Sequence, residues 1–330
     1  MTAALALLGY AVGAAWCVPA LLAPLTRHGI SVRAGLAAWL TAMASVLLSG
    51  TVAVLFSVRT AAADWPRLTS TLCRSVAGGA CTPEVYRSLF YQAGVAALAA
   101  VLAFASVLAL WRYGRRVQRS RRQTRAHAAA ARLVGRALAA GAGSGAVVGR
   151  QAEAVVLDDP RPAAYCVAGR PAAIVLTSGA LEVLDPPQLG AVLAHERAHL
   201  AHADHLLATL TQGLAAAFPG VPLYATGAAE VARLAEMSAD DTAARASGRP
   251  ALVAALLAIA TGVAISSTGI PGTGVPGGAL AAAAHAVPAR VERLLCPPTP
   301  GRSAAFTAML TLALALLAAA PLALALFAPR

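Results

Sequence analysis

Four stretches of this chain hold no charged residue and outrun the ~20 residues an α-helix needs to cross a bilayer: 1–26, 34–58, 88–111 and 303–329. Hydrocarbon offers the backbone no water to bond, so apolar runs of this length read as helices that bond their own amides. Transmembrane helices are therefore expected at 3–25, 35–57, 90–111 and 303–329. Pro321 lies within the last and predicts a kink or an early stop there. The first run lacks a basic leading segment and exceeds the roughly 7–15 apolar residues of a signal peptide, so it reads as a retained membrane helix. Bulk composition agrees: 58% of the 330 residues are hydrophobic and 12% charged, against about 25% charged in soluble domains. A disordered chain, a fibrous repeat and an ordinary cytosolic globule are excluded.

The 26 basic residues are all arginine, and lysine and asparagine are absent. That bias points to a GC-rich bacterial genome. The net charge of +12 invites a nucleic-acid reading, so its location matters. Arg112, Arg115, Arg116, Arg119, Arg121, Arg122 and Arg125 form a basic juxtamembrane segment at 112–125, directly after the third apolar run. The positive-inside rule makes this side cytoplasmic. Arg27 and Arg33 then lie inside, the 59–87 loop lies outside, and both termini lie outside a multi-pass plasma-membrane protein. Topology and contact with anionic lipid account for the basic run. No aromatic-interleaved basic motif accompanies it, so no direct nucleic-acid partner is expected.

Cys73 and Cys81 share the expected outer loop, where an oxidising compartment favours a disulfide. Cys166 and Cys296 fall on the reducing side and read as packing residues. Residues 126–302 form the one stretch long enough for a globular domain. Helical character continues through 126–140. Short strand-like runs follow at Ala154–Leu157, Ala164–Val167 and Ala173–Thr177, and predict a small antiparallel sheet. Asp185-Pro186-Pro187-Gln188 has the chemistry of a helix start. The apolar run 251–267 reads as a buried helix of this domain, with a membrane-dipping segment as the alternative; the Gly/Pro-rich tract 269–278 reads as a loop.

The chemistry is concentrated at His195-Glu196-Arg197-Ala198-His199. On a helix, residues four apart share a face, so His195 and His199 can hold one zinc ion, with Glu196 beside it as the proton acceptor. Two histidines and a glutamate at this spacing are expected by chance only about 0.003 times in such a chain. A third ligand is available in Glu236, on a later helix, with Asp240 one turn on to orient a ligand histidine. Glu230 is the rival carboxylate. Tyr224, His202, His205 and Arg290 are candidates for stabilising an oxyanion, and each also reads as structural.

The run Ala173–Leu181, the His-Glu-Arg-Ala-His helix, Glu236-Met237-Ser238-Ala239-Asp240 and Arg290-Val291-Glu292-Arg293-Leu294 together resemble the BlaR/MecR-type membrane metallopeptidases. They also resemble the related HtpX-type and CAAX-prenyl-protease-type enzymes, all gluzincins. The resemblance spans about 150–300. It implies a mainly α membrane protein, with four transmembrane helices and an inserted α+β gluzincin-type zinc metallopeptidase domain. It implies one zinc ion per chain at His195, His199 and Glu236, catalysis by Glu196, and Asp204 where several relatives carry an acid. Arg197 departs from the uncharged residue common between the histidines. The penicillin-binding sensor domain is not expected, so a β-lactam receptor role is not carried over. The expected function is peptide-bond hydrolysis of a protein at the cytoplasmic membrane face, with a cytosolic transcriptional repressor as one substrate. The alternatives are an HtpX-like quality-control protease and an inactive zinc-binding receptor or scaffold. A substrate strand could pair along 173–177.

Overall fold

The computed structural model describes residues 2–27, 31–76, 83–137, 152–167, 172–266, 287–297 and 300–327. It is mostly helical. Three long helices come first: α1 (Thr2–Thr26), α2 (Val32–Val76) and α3 (Pro83–Val134). A small sheet follows: β1 (Arg136–Ala137), β2 (Ala152–Leu157), β3 (Ala164–Val167) and β4 (Ala172–Thr177). Then come α4 (Ser178–Val183), α5 (Pro186–Ala201), α6 (Asp204–Ala217), α7 (Pro222–Ser247) and α8 (Arg249–Ser266). The helix α9 covers 287–295 and α10 is Pro300–Phe327.

Among the described residues, four helical segments are long and apolar enough to cross a membrane: Thr2–Thr26, Val32–Arg67, Tyr86–Gln123 and Ser303–Leu324. Their outward faces carry Leu21, Leu55, Phe90, Phe104, Leu312 and Leu322, all exposed, which suits lipid rather than water. The helices outrun the apolar runs. The expected 59–87 loop is instead helical up to Val76 and again from Pro83, and α3 continues through the basic segment to Val134. Charge marks where hydrocarbon ends, but arginine and alanine are good helix formers and do not end a helix. Pro321 does not stop α10, which continues to Phe327. Cys81 and the 269–278 tract lie outside the described residues, as does the side chain of Cys73.

The sheet is mixed rather than antiparallel, with strand order β1-β2-β4-β3. β2 pairs with β4 in parallel, and β1 and β3 flank them antiparallel. The cause is the link 158–163. It crosses over the end of β4 before β3 runs back along β4's far side. Thr177 N–H donates to the Ala163 carbonyl (3.0 Å) and Gly179 N–H to the Asp159 carbonyl (3.0 Å). Gly179 permits the crossing, because a Cβ there would meet the Pro160 carbonyl. Ile174 and Leu176 pack with Leu189, Val192 and Leu193 of α5 and Ala255 of α8. The 251–267 apolar run is helical up to Ser266 and packs through its first turns, with Leu252 and Ala255 fully buried.

The metallopeptidase-like segment does not keep its core to itself. One cluster joins Val18 and Leu22 of α1, Trp39 and Met43 of α2, Leu214 of α6, Leu223, Val231 and Leu234 of α7, and Leu310 of α10. The sequence reason is the stretch 206–229, which is free of ionisable side chains except Tyr224. It makes an apolar α6–α7 hairpin that lies against the membrane helices. Polar contacts fix its depth. Arg233 donates from Nη2 to the Thr26 carbonyl (2.7 Å) and from Nη1 to the Arg27 carbonyl (2.9 Å). A cation thus satisfies the bare carbonyls at the α1 C-terminus.

Candidate metal centre

Helix α5 starts where its sequence dictates. Asp185 Oδ1 accepts from Gln188 N–H (2.8 Å), and the Gln188 side chain accepts in return from Asp185 N–H (3.3 Å), with prolines in the first turn. Apolar Ala191, Val192, Leu193 and Ala198 sink the helix into the core. They carry His195 and Glu196 in with them, each buried to 7% exposure.

His195 and His199 meet one turn apart, with Nε2 atoms 3.0 Å apart and rings nearly perpendicular at 85°. From α7, Glu236 brings Oε2 to 3.5 Å from His195 Nε2 and Oε1 to 3.4 Å from His199 Nε2. A tetrahedral ion with bonds of about 2.0–2.1 Å holds its ligand atoms about 3.3–3.4 Å apart. The cluster matches that spacing. The far sides of the rings strengthen the match. His199 Nδ1 lies 2.7 Å from Asp204 Oδ2, and His195 Nδ1 lies 3.1 Å from Asp240 Oδ1. The second contact is an ion-pair approach rather than an aligned hydrogen bond. Carboxylates there favour the proton on Nδ1 and turn both Nε2 lone pairs toward one point. Two lone pairs facing each other across 3.0 Å fit a cation between them.

Arg290 of α9 braces the carboxylates. It donates from Nε and Nη2 to Asp240 (2.7 and 2.6 Å), and its Nη1 lies 3.1 Å from Glu236 Oε2. Asp240 is 1% exposed and Arg290 8%, so this is a fully desolvated fork. The electrostatics follow from these contacts. Burial alone would raise the Glu236 pKa, but both histidines and Arg290 hold it well below the usual carboxylate range. Burial alone would lower the His199 pKa, yet Asp204 and Glu236 push it up to about 10. Burial lifts the Glu196 carboxyl above its ordinary value, against the pull of His195 and His199. Burial first, then the Glu196 charge, pushes the Cys166 thiol of β3 up to about 12.

A profile of Peptidase family M48 matches residues 120–295, more than half of the chain. The chain belongs to peptidase family M48. It is 42% identical over 64 residues to the Protease HtpX homolog of Acidiphilium cryptum, covering 19% of this chain and 22% of that one. It is 39% identical over 67 residues to the homolog of Tropheryma whipplei, 20% of this chain and 23% of that one. For Ralstonia nicotianae the figures are 35% over 72 residues, 21% and 25%. The matches thus span a quarter or less of these relatives' lengths. No solved structure matches the chain.

The M48 segment contains the whole cluster, and the structure sorts its candidates. Among the described residues, His195, His199 and Glu236 form the group that could hold a metal ion. Glu230, the rival carboxylate, is instead paired with Arg233 at 2.7 Å and lies 3.1 Å from the Thr26 hydroxyl. Tyr224 is buried in the core shared with the membrane helices and stacks on Phe218. His202 and His205 are exposed. Arg290 is at the site but committed to carboxylates. Strand 173–177 is interior to the sheet, between β2 and β3, so it has no edge to offer a substrate. The edge nearest α5 belongs to β3.

Three contributors are not evident from the motif: the orienting role of Asp204, the Arg290 fork and the Cys166 thiol. Asp204 had a local signal, an acid five residues after His199. Reaching His199 Nδ1 from there requires a sharp turn, which Ala203 supplies in the left-handed region (φ 55°). Cys166 had none, because its neighbour Glu196 is 30 residues away in sequence.

Proposed function

We propose that this M48 chain is a zinc-dependent endopeptidase of a cell membrane, with its site at the cytoplasmic face. The convergence of His195 Nε2, His199 Nε2 and Glu236, with buried Glu196 next to the first ligand, carries the reading. His195, His199 and Glu236 would hold the zinc, which fits their spacing. The chemistry that bound zinc supplies is polarisation of the scissile carbonyl and acidification of water. Glu196 takes the proton from the attacking water and returns it to the departing amine. Its burial raises its proton affinity toward that task. Asp204 and Asp240 fix the histidine tautomers, and Arg290 fixes Glu236 and Asp240.

The packing of the α6–α7 hairpin against α1 and α2 supports a cluster close to the membrane boundary. Substrates are then proteins whose segments emerge at that boundary. The HtpX homologs named above favour an HtpX-like membrane protease. Cleavage of a cytosolic repressor, the BlaR/MecR-type reading, rests on the arrangement of three spans before the domain and one after. The test is cleavage by the purified chain in vesicles. Wild type is expected to cut an unfolded membrane-protein substrate and to stop with a chelator, while Glu196→Gln keeps its metal and loses cleavage at least about a thousandfold. Undiminished cleavage by Glu196→Gln would overturn the mechanism. Absence of cleavage from wild type across unfolded membrane proteins and a repressor would favour the scaffold.

A further inference from the structure

A cavity of about 330 Å³ lies away from the metal cluster, where the starts of α2 and α10 meet the C-terminal half of α7 and the end of α9. Arg33, Arg245 and Arg293 line it, with Asp241 as its one acid. Asp241 is already taken: Arg293 forks onto it at 2.7 and 2.8 Å. Arg33 and Arg245 have no carboxylate within ion-pair distance among the described residues, and both are exposed. The cavity therefore has a surplus of two positive charges. Ser31, Ser238 and Ser303 add hydroxyls. Val32 begins α2 and Ser303 lies in the first turn of α10, so the positive ends of two helix dipoles reinforce the arginines.

The position selects the kind of anion. Two membrane-crossing segments begin at this cavity, Val32–Arg67 and Ser303–Leu324. Its rim is therefore at the level of lipid headgroups, on the side the arginine distribution marks as cytoplasmic. The chain entering α2 is held to α10 here by the Ser31 and Thr307 hydroxyls at 2.8 Å, and nearly four turns farther along by Ser45 donating to the Leu317 carbonyl at 2.6 Å. Basic pockets between membrane helices on the cytoplasmic side are suited to phospholipid headgroups.

We propose that this cavity binds the phosphate of an anionic phospholipid of the cytoplasmic leaflet, captured by Arg33 and Arg245 and seated on the starts of α2 and α10. The lipid ties together α2, α7, α9 and α10. α7 and α9 show other faces to the metal cluster, through Glu236 and Asp240 and through Arg290. The site thus anchors the peptidase segment to its membrane helices, and its ligand is independent of any proteolysis.

The test is native mass spectrometry of the full chain in neutral detergent, titrated with phosphatidylglycerol, with phosphatidylcholine and with inorganic phosphate. Wild type is expected to retain one phosphatidylglycerol per chain in strong preference to phosphatidylcholine. Arg33→Gln with Arg245→Gln should weaken it about 30-fold, on the scale of one surface cation per factor of about five. Arg33→Lys with Arg245→Lys should keep most of the affinity. Equal retention of both lipids by wild type would overturn the proposal, and needs no variant to fold. So would phosphatidylglycerol affinity unchanged in the glutamine variant. Inorganic phosphate binding as tightly as phosphatidylglycerol would replace the lipid with a free-phosphate site.

Discussion

Arg290→Met takes the guanidinium out of a fork that is almost wholly desolvated. Asp240, 1% exposed, then loses two donors at 2.7 and 2.6 Å and keeps only the off-line His195 ring. Glu236 loses its cation at 3.1 Å. Removing one partner of a buried ion pair costs about 3–5 kcal/mol, because the other charge is left without compensation. Methionine fills much of the arginine stem's volume, so little of that loss comes from packing. The orienting shell of a metal site also governs affinity, and its loss weakens binding about 10–100-fold. Chemical unfolding of the purified chain in detergent reads the first quantity, and chelator competition for zinc reads the second. Asp240→Asn removes the stranded charge, so the double variant should recover much of the loss and show a coupling of about 2 kcal/mol or more. A loss under about 1 kcal/mol in Arg290→Met, or strict additivity with Asp240→Asn, would refute the buried-fork argument.

The metal-free chain should have a defined pH window. His199, raised to about 10 from 6.5, contributes stability that is complete below pH 6.5 and fades as pH climbs through 10. Glu236, depressed from 4.5, contributes stability present above pH 4.5 and lost on acidification. Urea midpoints should therefore peak between these two values and fall toward pH 10, while zinc binds more tightly as pH rises because it needs His199 neutral. A metal-free midpoint that rises from pH 7 to 10 would contradict this. Two of the tightly packed glycines should also behave differently. Gly179→Ala drives a Cβ into the Pro160 backbone and should cost about 2–4 kcal/mol. Gly227→Ala meets chiefly the flexible end of Met43 and should cost under about 1.5 kcal/mol in the same unfolding assay.

Much of the architecture is legible in the sequence because two strong periodicities carry it. Charge-free runs longer than a bilayer mark the four spans, and His-x-x-x-His marks one helix face. The mixed sheet was not legible. Nothing in the six residues 158–163 says that they cross over β4, and only Gly179 hints at a close backbone approach. The shared core had a signal that length concealed. The uncharged stretch around 206–229 is broken by Phe218-Pro219-Gly220 into two pieces, each too short to cross a bilayer. They make a hairpin instead, and that hairpin joins the candidate metal site to the long apolar helices. Glu236 could be separated from Glu230 by its register with Asp240, one helical turn apart, whereas the partners of Glu230 come from α1. Arg290 is 50 residues from Asp240, a distance no local pattern bridges.

The central claim is that His195, His199 and Glu236 together hold one zinc ion. Elemental analysis of the purified chain tests it most directly. Wild type and Glu196→Gln should each contain one zinc per chain, and Glu236→Ala close to none. Stoichiometric zinc in Glu236→Ala, or none in wild type purified without chelator, would contradict it.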